Sequence, residues 1–225
     1  MKKDKELLEH LCQYVTSERL HKINELVKVR TRHITVALED VYQSHNAGAI
    51  VRSCDGLGIQ DVHCIMQRNS FNINKGIAKG ASKWLDFFNY QQDGSESESA
   101  TEHCVETLKK KGYKIVATSP HALLPLSELP LENKLAFFFG TEEEGLTQEA
   151  VDSADYVVKI PMYGFTESFN VSVSVALCLY DVMNRLRKSS IKWGLSQSEQ
   201  DVLVLDWVRS SIERADILEK LFLQQ

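Results

Sequence analysis

Short apolar runs bounded by polar turns recur along the chain, and each has the length of a buried β-strand. Residues 34–38, 62–66, 113–118, 135–139 and 156–160 are runs of this kind, rich in valine, isoleucine and phenylalanine. Segments with apolar residues at helical spacing lie between several of them. Alternating strands and helices are typical of an α/β fold with parallel strands. The pattern therefore predicts a parallel sheet with flanking helices.

Polar residues that follow two of these runs are placed to begin helices. Asn46 precedes a helical pattern over 47–57 and is predicted to be its N-cap, with Gly58 as the terminator. Asn170 is likewise predicted to cap a helix whose apolar stripe reaches Leu186. Ligands of open α/β sheets bind beyond the carboxyl ends of the strands. The loops that precede these caps are therefore the predicted ligand site.

Both ends of the chain predict helical extensions. Residues 4–28 show apolar side chains three and four apart, with one break, which predicts two short helices. The stretch 196–199, Ser-Gln-Ser-Glu, matches a capping box and predicts a final amphipathic helix that ends near residue 223. We expect three parts: an N-terminal extension over 1–32, an α/β domain over 33–188 and a C-terminal extension over 189–225.

Two less regular stretches separate the predicted strands. Residues 75–84 are basic and rich in glycine, which is consistent with a mobile loop near a phosphate-bearing ligand and equally with a plain surface loop. Residues 91–99 are polar and predict a solvated loop without chemistry.

The overall composition is that of a soluble globular protein, with 43% hydrophobic and 25% charged residues. No apolar run approaches the roughly 18 residues that span a bilayer, and the charged N-terminus lacks a signal peptide's apolar core. We therefore expect a cytoplasmic protein without membrane contact. The cysteines lack CxxC spacing, which predicts reduced buried thiols and no zinc site. They are Cys12, Cys54, Cys64, Cys104 and Cys178.

Charge is distributed unevenly around a net value of −5. Basic residues gather over 19–33 and 185–192, whereas acidic residues gather over 93–102 and 142–144. Basic stretches that flank a more acidic middle are suited to hold a polyanion at its edges. Solvated helix faces explain the same pattern, so charge alone leaves both interpretations open.

Several familiar catalytic signatures are absent from the sequence. The chain has no GxGxxG after its first strand, no GxxxxGK[ST], no GxSxG and no HExxH. These absences disfavour a Rossmann dehydrogenase, a P-loop NTPase, an α/β-hydrolase and a zinc hydrolase.

Three other stretches resemble the motifs of one family. Residues 44–55, SHNAGAIVRSCD, resemble the first motif of the SpoU branch of the SPOUT RNA methyltransferases. Residues 139–146, FGTEEEGL, resemble the second motif, and 160–173, IPMYGFTESFNVSV, the third. Within that branch, the lead-in over 19–30 and the C-terminal extension are similar to the TrmH-type tRNA guanosine-18 2′-O-methyltransferases.

This resemblance implies a fold and an activity. It implies an S-adenosyl-L-methionine-dependent homodimer with a C-terminal trefoil knot, which methylates a ribose 2′-hydroxyl of structured RNA, most simply guanosine 18 of the tRNA D-loop. Three alternatives stay open: the same chemistry on ribosomal RNA, a non-catalytic RNA-binding member of the fold, and a methyltransferase for small molecules.

The resemblance also implies catalytic residues, namely Arg52, Asn46, Glu142, Ser168 and Asn170. Because a guanidinium stays protonated to very high pH, we expect Arg52 to position ribose or phosphate and to stabilise developing oxyanion charge rather than to act as a base. Asn46 and Glu142 are expected to orient Arg52, and Ser168 and Asn170 to lie near the reacting centre. Each residue also has a structural interpretation, as a helix-surface arginine, a helix cap or a solvated acid.

Two further sets of residues follow from the same resemblance. The expected methyl-donor contacts are Thr118, Gly140, Ile160, Met162 and Phe169. Phe169 stands where the family usually has leucine, so the larger ring alters the shape of the expected pocket. The expected RNA contacts are the basic residues Arg19, Lys22, Arg30, Arg32, Arg185, Arg187 and Lys188.

Overall fold

The computed structural model describes residues 2–91 and 99–223, which divide into two compact units. Residues Arg32–Trp193 form one unit, which we call the sheet unit. The described residues before Arg32 and from Gly194 onward form the other, which we call the helical unit. Most of the two predicted terminal extensions thus belongs to a single unit, although they lie at opposite ends of the sequence. Arg32 and residues 189–193, which were predicted as parts of the extensions, lie in the sheet unit.

The sheet unit is built on a parallel sheet, as the alternation of elements predicts. Among residues 2–91 and 99–223 the sheet has seven strands, in the order β3-β2-β1-β6-β4-β7-β5, and the paired neighbours run parallel. Their bounds are β1 Ile34–Glu39, β2 Asp61–Met66, β3 Asp86–Gln91, β4 Tyr113–Thr118, β5 Leu124–Pro125, β6 Lys134–Phe139 and β7 Tyr156–Lys159.

Helices cover the sheet and make up the helical unit. Within the described residues their bounds are α1 Lys2–Cys12, α2 Ser17–Leu26, α3 Ser44–Leu57, α4 Lys75–Ala78, α5 Ala100–Lys110, α6 Gln148–Asp152, α7 Val171–Lys188, α8 Gln197–Ser211 and α9 Ala215–Leu223. Short 3₁₀ turns lie at Val27–Val29, Ala81–Lys83 and Leu126–Glu128. No helix among these residues is long and apolar enough to cross a membrane.

The central strand β6 shows why its residues form a strand that is buried on both faces. Phe137 and Phe139 pack with the apolar side chains of α3 and α7, whereas Ala136 and Phe138 pack with those of α5. Successive side chains of a strand point to opposite faces, so a continuous apolar run suits a sheet covered by helices on both sides. Burying each phenylalanine ring contributes about 2 kcal/mol to stability.

The predicted helix ends agree with the structure in three places. The Oδ1 atom of Asn170 accepts from the backbone N–H of Ser172 at 2.9 Å and caps α7. Gly58 ends α3 with φ +88°, a left-handed conformation that favours glycine. Ser196 and Glu199 form the predicted capping box of α8.

The predicted N-cap of α3 is wrong. The helix begins at Ser44, so Asn46 lies inside its first turn, and the cap position belongs to Gln43. Asn46 is only 3% exposed, and its Nδ2 atom donates to Oε1 of Gln43 at 2.7 Å. An asparagine at this position is therefore free to use its amide in contacts away from the helix backbone.

The single C-terminal helix predicted through residue 223 is also wrong. Arg214 adopts φ +61° between α8 and α9, which ends one helix and redirects the chain into the next. Arg209 pairs with Glu219 at 2.6 Å across this break. The charged pair joins the two helices.

The less regular stretches contain structure that the sequence pattern does not predict. Residues 75–84 form α4 and a 3₁₀ turn rather than a simple loop, and β3 follows them. In the predicted loop 91–99, Gln91 ends β3 and Ser99 caps α5, and the residues between lie outside the described chain.

All five cysteines are free thiols, and four of them are buried. Burial raises the pKa of the Cys64 and Cys178 thiols to about 12, which keeps them protonated and unreactive. Within residues 2–91 and 99–223 no cluster of His, Cys, Asp and Glu side chains is arranged to hold a metal ion.

Candidate active site

A cavity of about 420 Å³ lies beyond the carboxyl ends of β4, β6 and β7. Its wall is formed by three loops, each of which continues directly from one of these strands, and by the first turns of α7. The apolar side chains of Phe139, Val158 and Cys178 line it from the strands and the helix. This volume lies within the range of about 300–1,000 Å³ that is usual for small-molecule sites.

The residues predicted to contact a methyl donor all line this cavity. They are Thr118 from the end of β4, Gly140 after β6, and Ile160, Met162 and Phe169 after β7. Phe169 is 39% exposed, so its ring lies at the surface of the cavity rather than in the core. Glu142 and Ser168, predicted as catalytic residues, line the same cavity. The structure thus brings together residues from segments that are distant in sequence.

The loop after β6 folds back on itself, and this geometry requires glycine at its start. Thr141 and Gly145 exchange two backbone hydrogen bonds of 3.1 Å, which closes the loop. A Cβ atom on Gly140 would lie 2.0 Å from the carbonyl oxygen of Gly145. Such a contact is impossible without moving the backbone. Gly140 is therefore required for the closure that places Glu142 at the cavity.

Three motif residues from distant segments form one hydrogen-bond network, and one of them, Glu142, lines the cavity. The Nδ2 atom of Asn170 donates to Oε1 of Glu142 and to Oδ1 of Asn46, the latter at 3.1 Å. The backbone N–H of Val171 donates to the same Glu142 oxygen at 3.4 Å. Because the Oδ1 atom of Asn170 caps α7, both ends of its amide are engaged. We call Asn46, Glu142 and Asn170 the amide network.

Arg52 lies apart from this network. Six residues separate Arg52 from Asn46, which places the two side chains roughly 120° apart around α3. Gly48 is four residues before Arg52 and shares its flank of the helix. The guanidinium is exposed, and within residues 2–91 and 99–223 it makes no hydrogen bond or ion pair. The expected orientation of Arg52 by Asn46 and Glu142 is therefore not formed within the single chain.

The predicted RNA contacts need correction at three positions. Arg30 is 3% exposed and its guanidinium lies 5.0 Å from the centre of the Trp207 ring, so it is a packing residue of the helical unit. Arg32 pairs with Asp61 at 2.9 Å and with Asp86 at 2.6 Å. Burial lowers the pKa of Arg32, but the two carboxylates outweigh it and leave the guanidinium firmly charged.

Arg185 is likewise engaged inside the sheet unit. It pairs with Asp181 at 3.1 Å and donates to the carbonyl oxygens of Ser127 and Leu129 at 2.8–3.0 Å. These bonds tie α7 to the loop before β6 and leave little of the guanidinium for another partner. Arg30, Arg32 and Arg185 are therefore structural cations in this fold.

The other predicted RNA contacts are at the surface. Arg187 is exposed, although it donates one bond of 2.9 Å to the carbonyl oxygen of Leu57. Arg19, Lys22 and Lys188 are exposed. Their contact with RNA stays a prediction.

Sequence reasoning missed Asp40, which lines a small pocket together with Asn46 and Glu142. Asp40, directly after β1, adopts φ +53°, and its Oδ1 accepts the backbone N–H groups of Gln67, Arg68 and Asn69 at 2.9–3.2 Å. It thereby ties the loop after β1 to the loop after β2. An acid directly after an apolar strand was the available signal, because aspartate tolerates the left-handed region better than most residues.

Comparison with known proteins agrees with this architecture. A model of the SpoU rRNA Methylase family matches residues 33–180. The tRNA (guanosine(18)-2′-O)-methyltransferase of Borreliella burgdorferi is 39% identical over 212 residues, which are 94% of this chain and 94% of that protein. The enzyme of the same name from Escherichia coli is 30% identical over 197 residues, 84% of this chain and 81% of that protein.

Solved structures of related proteins have the same fold. The TrmH/SpoU tRNA modifying enzyme of A. aeolicus has a TM-score of 0.73 and 27% identity, and the match covers 88% of this chain and 98% of that one. A SpoU methyltransferase of Streptomyces viridochromogenes, solved in complex with AdoMet, shares the fold with a TM-score of 0.58 at 22% identity over 73% of this chain and 62% of that one. This chain belongs to the SpoU methylase family.

Proposed function

We propose that this chain transfers a methyl group from S-adenosyl-L-methionine to the ribose 2′-hydroxyl of guanosine 18 in the tRNA D-loop. One observation carries the proposal: the amide network joins residues of all three family motifs, and its Glu142 lines a cavity of about 420 Å³. The substrate assignment follows the relative that is 39% identical over 94% of both chains. Because the substrate is tRNA, we also propose a cytoplasmic location.

The chain's own groups fit S-adenosyl-L-methionine as the methyl donor. Thr118, Gly140, Ile160, Met162 and Phe169 would hold it in the cavity, where loop backbone and apolar side chains alternate. The acidic loop over 142–144 lines the same cavity and favours a cation there. When bound, the donor supplies an electrophilic methyl group on a positively charged sulfur.

The amide network would organise the acceptor side of the reaction. Asn170 holds one oxygen of Glu142 in place, and the N–H of Val171 supports the same oxygen. A carboxylate fixed in this way can orient a hydroxyl group at the cavity mouth without reorganising during the reaction. Ser168, on the cavity wall, would contact the same acceptor ribose. These roles are proposals for the residues that the three motifs predict.

Arg52 would stabilise the negative charge that develops on the ribose oxygen. A guanidinium group is a cation without a free lone pair for proton transfer, so a stabilising role suits it better than that of a base. As a fixed cation with five donors it suits an oxyanion or a neighbouring phosphate. Its flank of α3 points away from the amide network of the same chain, so a second copy of the chain would have to bring it to the cavity.

A homodimer is therefore part of the proposal. Helix α7 exposes an apolar stripe of Val173, Leu177 and Tyr180, which are 42%, 38% and 63% exposed and recur at intervals of four and three residues. A stripe of this kind, continuous with the half-exposed Phe169, is typical of a helix that packs against another surface. The trefoil knot stays a prediction of the family resemblance.

Ribosomal RNA is the second candidate substrate. A 23S rRNA (guanosine-2′-O-)-methyltransferase of Shewanella oneidensis is 28% identical over 170 residues, which are 74% of this chain and 65% of that protein. The tRNA-specific relative matches more of the chain with higher identity, which favours tRNA.

The decisive experiment is methyl transfer from labelled S-adenosyl-L-methionine to unmodified tRNA transcripts, followed by mapping of the labelled nucleotide. The matched control is the same tRNA made with a 2′-O-methyl group already at guanosine 18. We expect label at that ribose in the first RNA and none in the second. Label elsewhere in tRNA, or only in ribosomal RNA fragments, would overturn the substrate assignment, and no transfer to any RNA would overturn the activity.

A further inference from the structure

The basic segment over 74–84 packs on the same flank of α3 that carries Arg52. The N–H of Asn74 donates to the carbonyl oxygen of Ser44 at 3.2 Å. A Cβ atom on Gly48 would lie 3.0 Å from the carbonyl oxygen of Asn74, so the two backbones are in close contact. Ala78 and Ala81 are buried in the core beneath. The segment is therefore fixed to the helix by its backbone and small residues, and the side chains of Lys79 and Lys83 are exposed.

The backbone of this segment has an uncommon conformation at a lysine. Lys79 adopts φ +47° and Gly80 adopts φ +80°, so two successive residues are left-handed. This conformation is easy for glycine but costs a residue with a Cβ atom about 1 kcal/mol. Strained backbone is often associated with function. The turn directs Lys79 outward, where it is exposed.

Lys83, at the end of the following 3₁₀ turn, is exposed as well. Within residues 2–91 and 99–223 neither lysine makes an ion pair with an acidic side chain, and the same holds for Arg52. By contrast, the helical unit, where RNA contacts were expected, carries ten basic and eleven acidic residues over 1–31 and 194–225. Between residues 41 and 84 the balance is five basic to two acidic.

We propose that Lys79 and Lys83, together with Arg52 on the adjacent helix, form a phosphate clamp for the RNA strand that carries the target nucleotide. The inference rests on the proposed function, because it takes RNA as the ligand. The two ammonium groups neutralise backbone phosphates without reading sequence. The turn lies beside the flank of the proposed catalytic arginine, so a phosphate bound by the lysines would lie near that group. We call Lys79, Lys83 and Arg52 the cationic flank.

The test is a double variant, Lys79→Asn with Lys83→Gln. Asparagine is neutral and accepts a left-handed backbone, so the turn keeps its conformation. The matched control is Lys110→Gln with Lys114→Gln, which removes the same charge. Both control lysines are ion-paired surface residues, with Glu106 at 2.7 Å and with Asp155 at 2.8 Å, near the amino ends of the strands.

The measurements are the dissociation constant for tRNA as a function of KCl, the kcat at saturating RNA, and the dissociation constant for S-adenosyl-L-methionine. For the clamp variant we expect weaker RNA binding by about tenfold at 0.15 M salt and a log–log salt slope smaller by about 1–2. Methyl-donor affinity and kcat at saturation should stay within twofold of the wild type. The control pair should match the wild type in all three.

The possible failures can be distinguished. Equal losses in the two double variants would show a general effect of net charge and overturn the clamp. If the wild type is active and the clamp variant binds RNA as tightly as the wild type does, the clamp is overturned as well. A wild type that binds tRNA through these lysines but transfers no methyl group would overturn the proposed activity and leave the clamp standing. If the double variant unfolds, Lys83→Gln alone decides, with an expected loss of about threefold in affinity.

Discussion

The two flanks of helix α3 carry polar groups in opposite states. On one flank, Asn46 is buried and its amide is hydrogen-bonded to Gln43 and to Asn170, which in turn holds Glu142. On the other, Arg52 is exposed and has no partner within the described chain. Groups that are already bonded keep their positions during a reaction, whereas exposed cations are available for a polyanion. One helix thus separates a preorganised network from a surface that is suited to bind phosphate.

The largest effect is expected on the cationic flank, from Arg52→Ala. Loss of a cation that stabilises developing oxyanion charge reduces kcat by about 10²–10³-fold. The free energy of unfolding should not change, because the side chain has no partner in the described chain. Arg52→Lys keeps the charge but loses the planar set of donors, so it should recover only part of the rate. A rise in KM for RNA with an unchanged kcat would assign Arg52 to phosphate binding alone.

Arg32, a structural arginine that lies on neither flank of α3, offers a comparison with the exposed Arg52. Arg32→Ala leaves the buried carboxylate of Asp61 without its ion pair, and we expect a loss of about 3 kcal/mol in the free energy of unfolding at pH 7. Activity well below the melting temperature should be retained. Urea unfolding of the wild type and the variant measures the difference. Removing the carboxylate as well, in Arg32→Ala with Asp61→Asn, should restore most of the stability.

The pH dependence of this loss has a definite sign. Burial raises the pKa of Asp61, and Arg32 opposes that rise. Without Arg32 the native state binds the proton more tightly than the unfolded chain does, so the defect is smallest at low pH and grows as pH rises through the native pKa. The stability difference should therefore shrink as pH falls from 7 toward about 4. A difference that stays constant over this range would contradict the unpaired-carboxylate explanation.

Asn170 both caps α7 and donates to Glu142, and two variants separate these functions. Asn170→Ala removes both the cap of α7 and the donor to Glu142, and should cost about 1 kcal/mol of stability and at least tenfold in kcat. Asn170→Ser keeps a capping oxygen and should recover the stability but not the rate. Recovery of both by serine would show that the cap alone matters, and the network would then have no catalytic part.

A smaller effect is expected from two glycines of α3. Gly56→Ala adds a Cβ atom with nothing within 4 Å and should stabilise the helix by about 0.5–1 kcal/mol. Gly48→Ala adds the same atom 3.0 Å from the carbonyl oxygen of Asn74 and should displace the turn at Lys79 and Gly80, so no gain in stability is expected. We also expect a rise of a few fold in the KM for RNA. Equal behaviour of the two variants would show that the turn does not depend on this contact.

The smallest effect is expected from basic residues that belong to neither flank. Arg19→Gln with Lys22→Gln should raise the KM for RNA by about two- to threefold, since each residue neutralises at most one phosphate. Affinity for S-adenosyl-L-methionine should not change. An effect larger than that of Lys79→Asn with Lys83→Gln would move the main RNA contact to the helical unit.

The sequence predicts most of the fold because its strands are buried on both faces. A run such as 135–139 is apolar throughout and can be recognised as a strand without knowledge of its neighbours in the sheet. Strand β3 was missed because its residues, Asp-Phe-Phe-Asn-Tyr-Gln, mix polar and aromatic side chains at the edge of the sheet. Strand β5 has two residues and depends on β7 for its existence.

The site was predictable in its residues but not in its contacts. The motifs indicate Asn46, Glu142 and Asn170, yet propensity favours Asn46 as a cap, and only tertiary structure shows its amide turned toward Asn170. The burial of Arg30 beside Trp207 joins residues from opposite ends of the chain. Local patterns contain no information about such a pair, so a charge count places Arg30 at the surface.

The order of the strands has a consequence for how the protein is made. Strand β1 pairs with the central strand β6, and Ile34 meets Leu135 roughly a hundred residues further along the chain. On the ribosome, β1 and β2 emerge long before the strand that covers their open edge. An exposed apolar edge in a growing chain is a template for wrong pairing. The delay before β6 is made would then affect the yield of active protein in addition to its final stability.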